Sequence, residues 1–369
     1  MKMDPIPKTM RAAVYRGIND LRIETLPVPR IGPNELLVKV AACGVCPTDI
    51  KKIKFGTVPP PRVFGHETAG TIARVGTLVR GFRVGERVAL HHHVPCLNCQ
   101  ACRHRAFSQC AQYKRTGITA GFEPAGGGYA EYVRVMRFVL PGVVKIPARN
   151  TFEEGAMLEP VNTVLKGIYR LSLLPGDHVL VIGQGPVGLL FTRLLKLHGM
   201  NVLAADMLSS RLLLAKGFGA KWVIHGERLA NANELLPKGC LLDAVIVTAP
   251  SDTAVRQAQQ LVRGGGKVLL FAHTQRGSIT EIDLSTICVD ERDMLGSYSS
   301  DLTLQKKAAK VVFSRHLDAR RLITHRFALE QLATAIDLAA VPRDNSLKIF
   351  IGTGLNGPRI RSSFGARRR

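Results

Sequence analysis

Residues 179–199, VLVIGQGPVGLLFTRLLKLHG, constrain the fold of this chain more than any other stretch. VLVIG is apolar without alternation, so it reads as a strand buried on both faces. Such strands belong to parallel sheets covered by helices. The glycine-rich turn and the periodic segment PVGLLFTRLLKLHG then predict a helix packed back on that strand. The rhythm recurs downstream. NVLAAD (201–206) is a second strand, SSRLLLAKGFG (209–219) a helix and KWVI (221–224) a third strand, and LLDAVIVTA (241–249) and KVLLFA (267–272) continue the series. Regular β/α alternation predicts a doubly wound parallel sheet.

The turn itself has the pattern G-x-G-x-x-G, formed by Gly183, Gly185 and Gly188, with Pro186 and Val187 opening the helix. Placed between a strand and a helix, it predicts a dinucleotide site. Gly183 permits the tight turn, Gly185 lets a pyrophosphate approach the backbone, and Gly188 lets the helix pack closely. Asp206 ends the second strand, 18 residues past Gly188. A carboxylate there accepts ribose hydroxyls and repels a 2′-phosphate, which favours NAD over NADP. Arg211, shortly after it, joins the candidate coenzyme contacts.

A chain of 369 residues suggests two domains. Residues 10–90 read as all-β, with the short apolar runs LLVKVAA (36–42), TAGTIARVG (68–76) and RVALHHH (87–93) separated by glycine and proline. Six of the eight cysteines lie between residues 43 and 110. In a reducing compartment such crowding favours metal over disulfides. Cys96, Cys99, Cys102 and Cys110 are spaced C-x2-C-x2-C-x7-C, a closed thiolate shell that suits a structural metal. CGVCPTD (43–49), GHE (65–67) and LEP (158–160) offer thiol, imidazole and carboxylate from distant segments. That dispersal suits a catalytic zinc, which needs three protein ligands and an open position, at a domain junction. The net charge of +23 is spread along the chain and reads as solvated surface, with a dense basic run at 359–369. No aromatic-interleaved motif points to nucleic acid. No apolar run is long enough to cross a bilayer, and the start lacks a signal-peptide core, so a cytoplasmic protein is expected.

Together, CGVCPTD, GHE, the cysteine lobe, GGGYAEY (126–132), LEP and VIGQGPVG with Asp206 resemble the zinc-dependent medium-chain alcohol and polyol dehydrogenases over nearly the whole chain. The resemblance implies a fold of class α/β plus β, a GroES-like β-barrel catalytic domain with an inserted Rossmann doubly wound parallel-sheet domain. It divides the chain into a GroES-like catalytic domain at 1–155 with a zinc lobe at about 95–111, a Rossmann NAD-binding domain at 156–296, and a return to the catalytic domain at 297–369. It places a catalytic zinc on Cys46, His66 and either Glu67 or Glu159, with the remaining glutamate nearby or linked through water. The four lobe cysteines take a second, structural zinc. Glu-Pro at 159–160 resembles the sorbitol and threonine dehydrogenase side of the family. The implied reaction is hydride transfer from a secondary alcohol or polyol to NAD by a homodimer or homotetramer. Thr48 is placed to relay the proton, and Asp49 to orient His66. Two departures stand out: Lys51 replaces a frequent relay histidine, and Pro47 removes a cationic side chain.

Other readings explain less. A zinc-free quinone or enoyl reductase of the same fold would lack the Cys46/His66 pair. A basic zinc-ribbon nucleic-acid-binding protein would leave the coenzyme motif idle. Cys43, Cys240 and Cys288 read as core residues. His91, His92 and His93 read as mostly structural, with one of them lining the substrate cleft. Thr48 also suits a helix cap.

Overall fold

The computed structural model describes residues 5–353 except 92, 116, 124–125, 273–276, 278 and 342, together with 359–360. The chain forms two compact units, one of Met1–Asn162 with Ser300–Arg369 and the other of Thr163–Ser299.

The second unit is built on a six-stranded sheet. Its spatial order is Trp222–His225, Asn201–Asp206, His178–Ile182, Leu242–Val247, Val262–Leu270, Asp293–Gly296, and every neighbouring pair is parallel. The strand expected from VLVIG runs from His178 to Ile182, and Val179, Leu180 and Val181 are fully buried. Each such side chain contributes about 1.5–3 kcal/mol relative to an exposed one. The helix after the glycine turn spans Pro186–Leu197 and buries Leu189, Leu190, Phe191, Leu194 and Leu195. Proline suits the first helical position, where its missing N–H costs no hydrogen bond.

In the first unit a large, mostly antiparallel sheet centres on Leu36–Gly44. This strand pairs with Glu67–Val75, Tyr132–Val135 and Lys348–Gly352. Glu67–Val75 pairs in turn with Arg87–Leu90. A smaller sheet joins Thr9–Gly17 to Asp20–Pro27 and Arg62–Val63. Apolar residues fill both sides of the large sheet, among them Val38, Ile72, Val88 and Val133 on one and Val14, Phe64, Tyr129 and Ile351 on the other.

The structure changes three expectations. The strand expected through RVALHHH stops at Leu90, because His91 and His93 turn their rings to backbone carbonyls; His92 lies outside the described residues. Cys288 is exposed and Cys240 only half-buried. The short helix Leu284–Cys288 buries none of its residues, so Cys288 has no core to enter. Thr48 caps nothing: Cys46 holds the N-cap position of the helix Pro47–Phe55, and the cap is made without a side chain. Of the basic run at 359–369, residues 361–369 lie outside the described residues.

Candidate metal centre and coenzyme site

Cys46 leaves the strand Leu36–Gly44 in an extended conformation, and the helix Pro47–Phe55 starts directly behind it. The same turn of helix carries Asp49, fully buried beneath His66. His66 precedes the strand Glu67–Val75, which runs antiparallel to Leu36–Gly44 with Glu67 opposite Gly44. That register brings together one ligand atom each from Cys46, His66 and Glu67, all within 4.8 Å of one another. Asp49 Oδ1 lies 3.1 Å from His66 Nδ1. A carboxylate only accepts, so Nδ1–H donates and Nε2 is the candidate ligating nitrogen. Tyr129, from GGGYAEY, brings its hydroxyl 3.2 Å from Asp49 Oδ2 and 3.3 Å from the Gly44 carbonyl. Asp49 is held below the ordinary carboxylate range: burial opposes its charge, but His66 and Tyr129 stabilise it. Burial likewise opposes charge on His66, yet Asp49 and Cys46 outweigh it and hold the ring well above its ordinary value.

Lys348 is a residue that the sequence reading missed. It heads the strand Lys348–Gly352 and is buried. Its ammonium donates to Glu67 Oε1 at 2.6 Å and to the Val45 carbonyl at 3.0 Å. It also closes on Glu67 Oε2, without the alignment of a hydrogen bond. Burial works against its charge, but Glu67, Cys46 and Glu159 keep it protonated. A lone lysine leading the apolar run KIFIG was the only signal for it. Glu159 is buried near the start of the helix Leu158–Leu171 and lies outside the group formed by Cys46, His66 and Glu67. Thr48 lies half-buried on the first turn of its helix. Lys51, on the same helix, is lowered from the ordinary lysine range by burial.

The four lobe cysteines converge. Sγ atoms are separated by 3.9 Å for Cys96 and Cys102, 3.5 Å for Cys99 and Cys102, and 3.6 Å for Cys96 and Cys110. Thiolates at about 2.3 Å from a tetrahedral zinc stand about 3.8 Å apart, so the cage has the size zinc needs. No disulfide joins any of the eight cysteines. Burial and the Cys99 thiol push Cys102 up to about 12, a penalty that a bound dication would remove.

In the second unit the turn has the shape of a dinucleotide cradle. Gly183 adopts φ 91°, and a Cβ on Gly188 would lie 1.7 Å from the Gly183 carbonyl. At Gly185 a Cβ would meet only Arg211 Nη1, at 3.8 Å, so this peptide faces open space. The helix Pro186–Leu197 has no side-chain cap, which leaves its N-terminal N–H groups for an anion. Asp206 accepts from the Gln184 N–H at 2.5 Å and from the Leu208 N–H at 2.9 Å, which pins it beneath the turn. Arg211 Nη1 lies 4.0 Å from Asp206 Oδ2, and its buried Nε has no hydrogen-bond partner.

Residues 32–148 match the alcohol dehydrogenase GroES-like domain, and residues 186–314 match the zinc-binding dehydrogenase domain. Sorbitol dehydrogenase of Bacillus subtilis is 30% identical over 354 residues, covering 94% of this chain and 98% of the relative. Sorbitol dehydrogenase of Bombyx mori is 32% identical, covering 89% and 94%. A zinc-binding dehydrogenase of Sinorhizobium meliloti 1021 solved with NADP superposes with a TM-score of 0.83 at 26% identity, over 94% of this chain and all of that one. The chain therefore belongs to the zinc-dependent medium-chain dehydrogenases of the polyol type and is an alcohol or polyol oxidoreductase.

Proposed function

We propose that this enzyme oxidises a secondary alcohol or polyol to the ketone with NAD and holds two zinc ions per chain. The observation that carries this reading is the convergence of Cys46, His66 and Glu67 within 4.8 Å, with His66 Nδ1 committed to Asp49. These three residues would hold the catalytic ion, with Glu159 nearby, and the four-cysteine lobe would hold the structural one. The catalytic zinc, when bound, supplies Lewis acidity that eases ionisation of the substrate hydroxyl, and NAD supplies the hydride acceptor.

The residues of the chain do the rest. Thr48 takes the hydroxyl proton and passes it outward. Burial lowers Lys51 from the ordinary lysine range, the direction that favours passing that proton onward. Gly183, Gly185, Pro186, Val187 and Gly188 receive the pyrophosphate, and Asp206 receives the ribose hydroxyls. One observation favours NADP as a second reading. Arg211, with its unpartnered Nε, stands beside Asp206 and could receive a 2′-phosphate. Comparing kcat/KM for NAD and NADP in wild type and Arg211→Ala decides between them. The NAD reading expects a preference for NAD in both proteins.

The central test is Cys46→Ser. It is expected to lose one of two zinc ions and turnover, while NADH still quenches protein fluorescence. Unchanged turnover would overturn the assignment. We place the enzyme in a reducing, cytoplasmic compartment, which suits eight cysteines without a disulfide.

A further inference from the structure

One aromatic side chain of the cysteine lobe, Tyr113, reaches segments outside the lobe. Tyr113 is buried in the core of the lobe with Cys102, Phe107 and Cys110. Its ring stacks on the imidazole of His93, with centroids 4.7 Å apart and planes 11° from parallel. Its carbonyl accepts from His93 Nδ1 at 3.0 Å, so His93 carries its proton on Nδ1. His93 lies three residues past Leu90, which pairs with Thr68 in an antiparallel register. Thr68 lies two residues past His66 in sequence. Burial lowers His93 from the ordinary histidine range.

The Tyr113 hydroxyl leads elsewhere. It receives the Ser300 N–H at 3.1 Å, and it lies 3.1 Å from the Ser300 carbonyl and 3.2 Å from Ser300 Oγ. The next residue, Asp301, donates its N–H to Asn162 Oδ1 at 2.9 Å. Asn162 is fully buried and sits one helical turn beyond Glu159. His91 Nε2 meets the same Ser300 Oγ at 3.3 Å and donates to the His93 carbonyl at 3.0 Å. Tyr113 thus touches both His93, which follows the strand paired with Glu67–Val75, and the network that holds the helix of Glu159.

We propose that Tyr113 is a positioning residue, through which the four-cysteine lobe sets the His93 ring and the Glu159 helix and so tunes substrate affinity at the Cys46–His66 metal. The lobe then serves substrate binding as well as its own loop. This rests on the reading that Cys46 and His66 hold the catalytic ion.

The test replaces the metal at the Cys46–His66 site with cobalt(II) and records its visible spectrum alongside kcat, KM and zinc content. Tyr113→Phe keeps the stacked ring and loses the Ser300 contacts. Losing such a hydrogen bond is expected to raise KM for the best polyol about fivefold, with kcat nearly unchanged. Tyr113→Leu loses the stack as well and is expected to shift the cobalt bands. Cys99→Ser, which empties the lobe, is expected to shift them the same way. Wild-type KM and cobalt spectrum in a folded Tyr113→Phe protein would overturn the proposal, whether or not the leucine variant folds. A wild type that binds cobalt at Cys46 but oxidises no polyol would sink the proposed reaction, and the spectral comparison would still decide the role of Tyr113.

Discussion

At the scale of single residues, the proposed metal centre depends on a buried carboxylate, Asp49. Asp49 spends one oxygen on His66 Nδ1 and presents the other to Tyr129. Asp49→Asn keeps the shape but lets either ring tautomer form. Partners of this kind are worth about 10–100-fold in metal affinity. We therefore expect zinc affinity to fall by that factor at one site, read by chelator competition, with NADH binding unchanged. In the coenzyme turn the limit is steric. Gly188→Ala places a methyl 1.7 Å from the Gly183 carbonyl, so the turn must open. Overpacking of this kind costs about 1–3 kcal/mol. Thermal unfolding should show a lower Tm, and NADH titration should show lost binding. His66 and Cys46 were legible as candidate ligands because their residue types announce the chemistry. Lys348 and Tyr113 were not, since lysine is ordinarily a surface residue and tyrosine an ordinary core one.

At the scale of elements, paired charges join segments far apart in the chain. Arg134, on the strand Tyr132–Val135, forks onto both oxygens of Glu35 at 2.8 Å each, and the Gly32 N–H adds a third bond at 2.7 Å. The Arg134 guanidinium holds Glu35 below the usual carboxylate range, against the opposing effect of burial. A depressed pKa in the folded state contributes stability above the unfolded value, and that stability disappears as pH falls through the folded value. The contribution is therefore full above the ordinary glutamate value of 4.5 and lost in more acid solution. In Glu35→Gln, Tm is expected to be lower than wild type at pH 7 and to converge with it on acidification. A constant offset down to strong acid would refute this. The elements of the second unit were legible because each strand is a short apolar run and each helix keeps its period. The end of the strand Arg87–Leu90 was not, because nothing in RVALHHH shows that the histidine rings turn to carbonyls.

At the scale of the whole molecule, the parallel sheet ends, among the described residues, in a short strand whose residues are exposed or half-buried. Asp293–Gly296 is the last strand in that sheet among the described residues. Near it in sequence Val289 is 79% exposed, Leu284 72% and Tyr298 54%. An edge strand flanked by apolar side chains suits pairing with a second copy. A homodimer or homotetramer is the expected state, and Val289→Asp should shift it toward the monomer in light scattering, with zinc content unchanged. Metal analysis should find two zinc ions per chain, and removing the lobe ion should lower Tm, because four converging thiols lose their cation. What the sequence by itself determined was local. Apolar runs and glycine spacing specify which segments become strands, helices and the glycine turn, and the thiol, imidazole and carboxylate residue types mark candidate metal ligands. Tertiary structure alone brought a Glu67 oxygen, among the described residues, within 4.8 Å of ligand atoms of Cys46 and His66. Glu67 meets them because the antiparallel register sets it opposite Gly44, whereas Glu159 arrives on a separate helix. That choice lies in the pairing of distant segments, where each ligand depends on backbone hydrogen bonds that no single segment encodes.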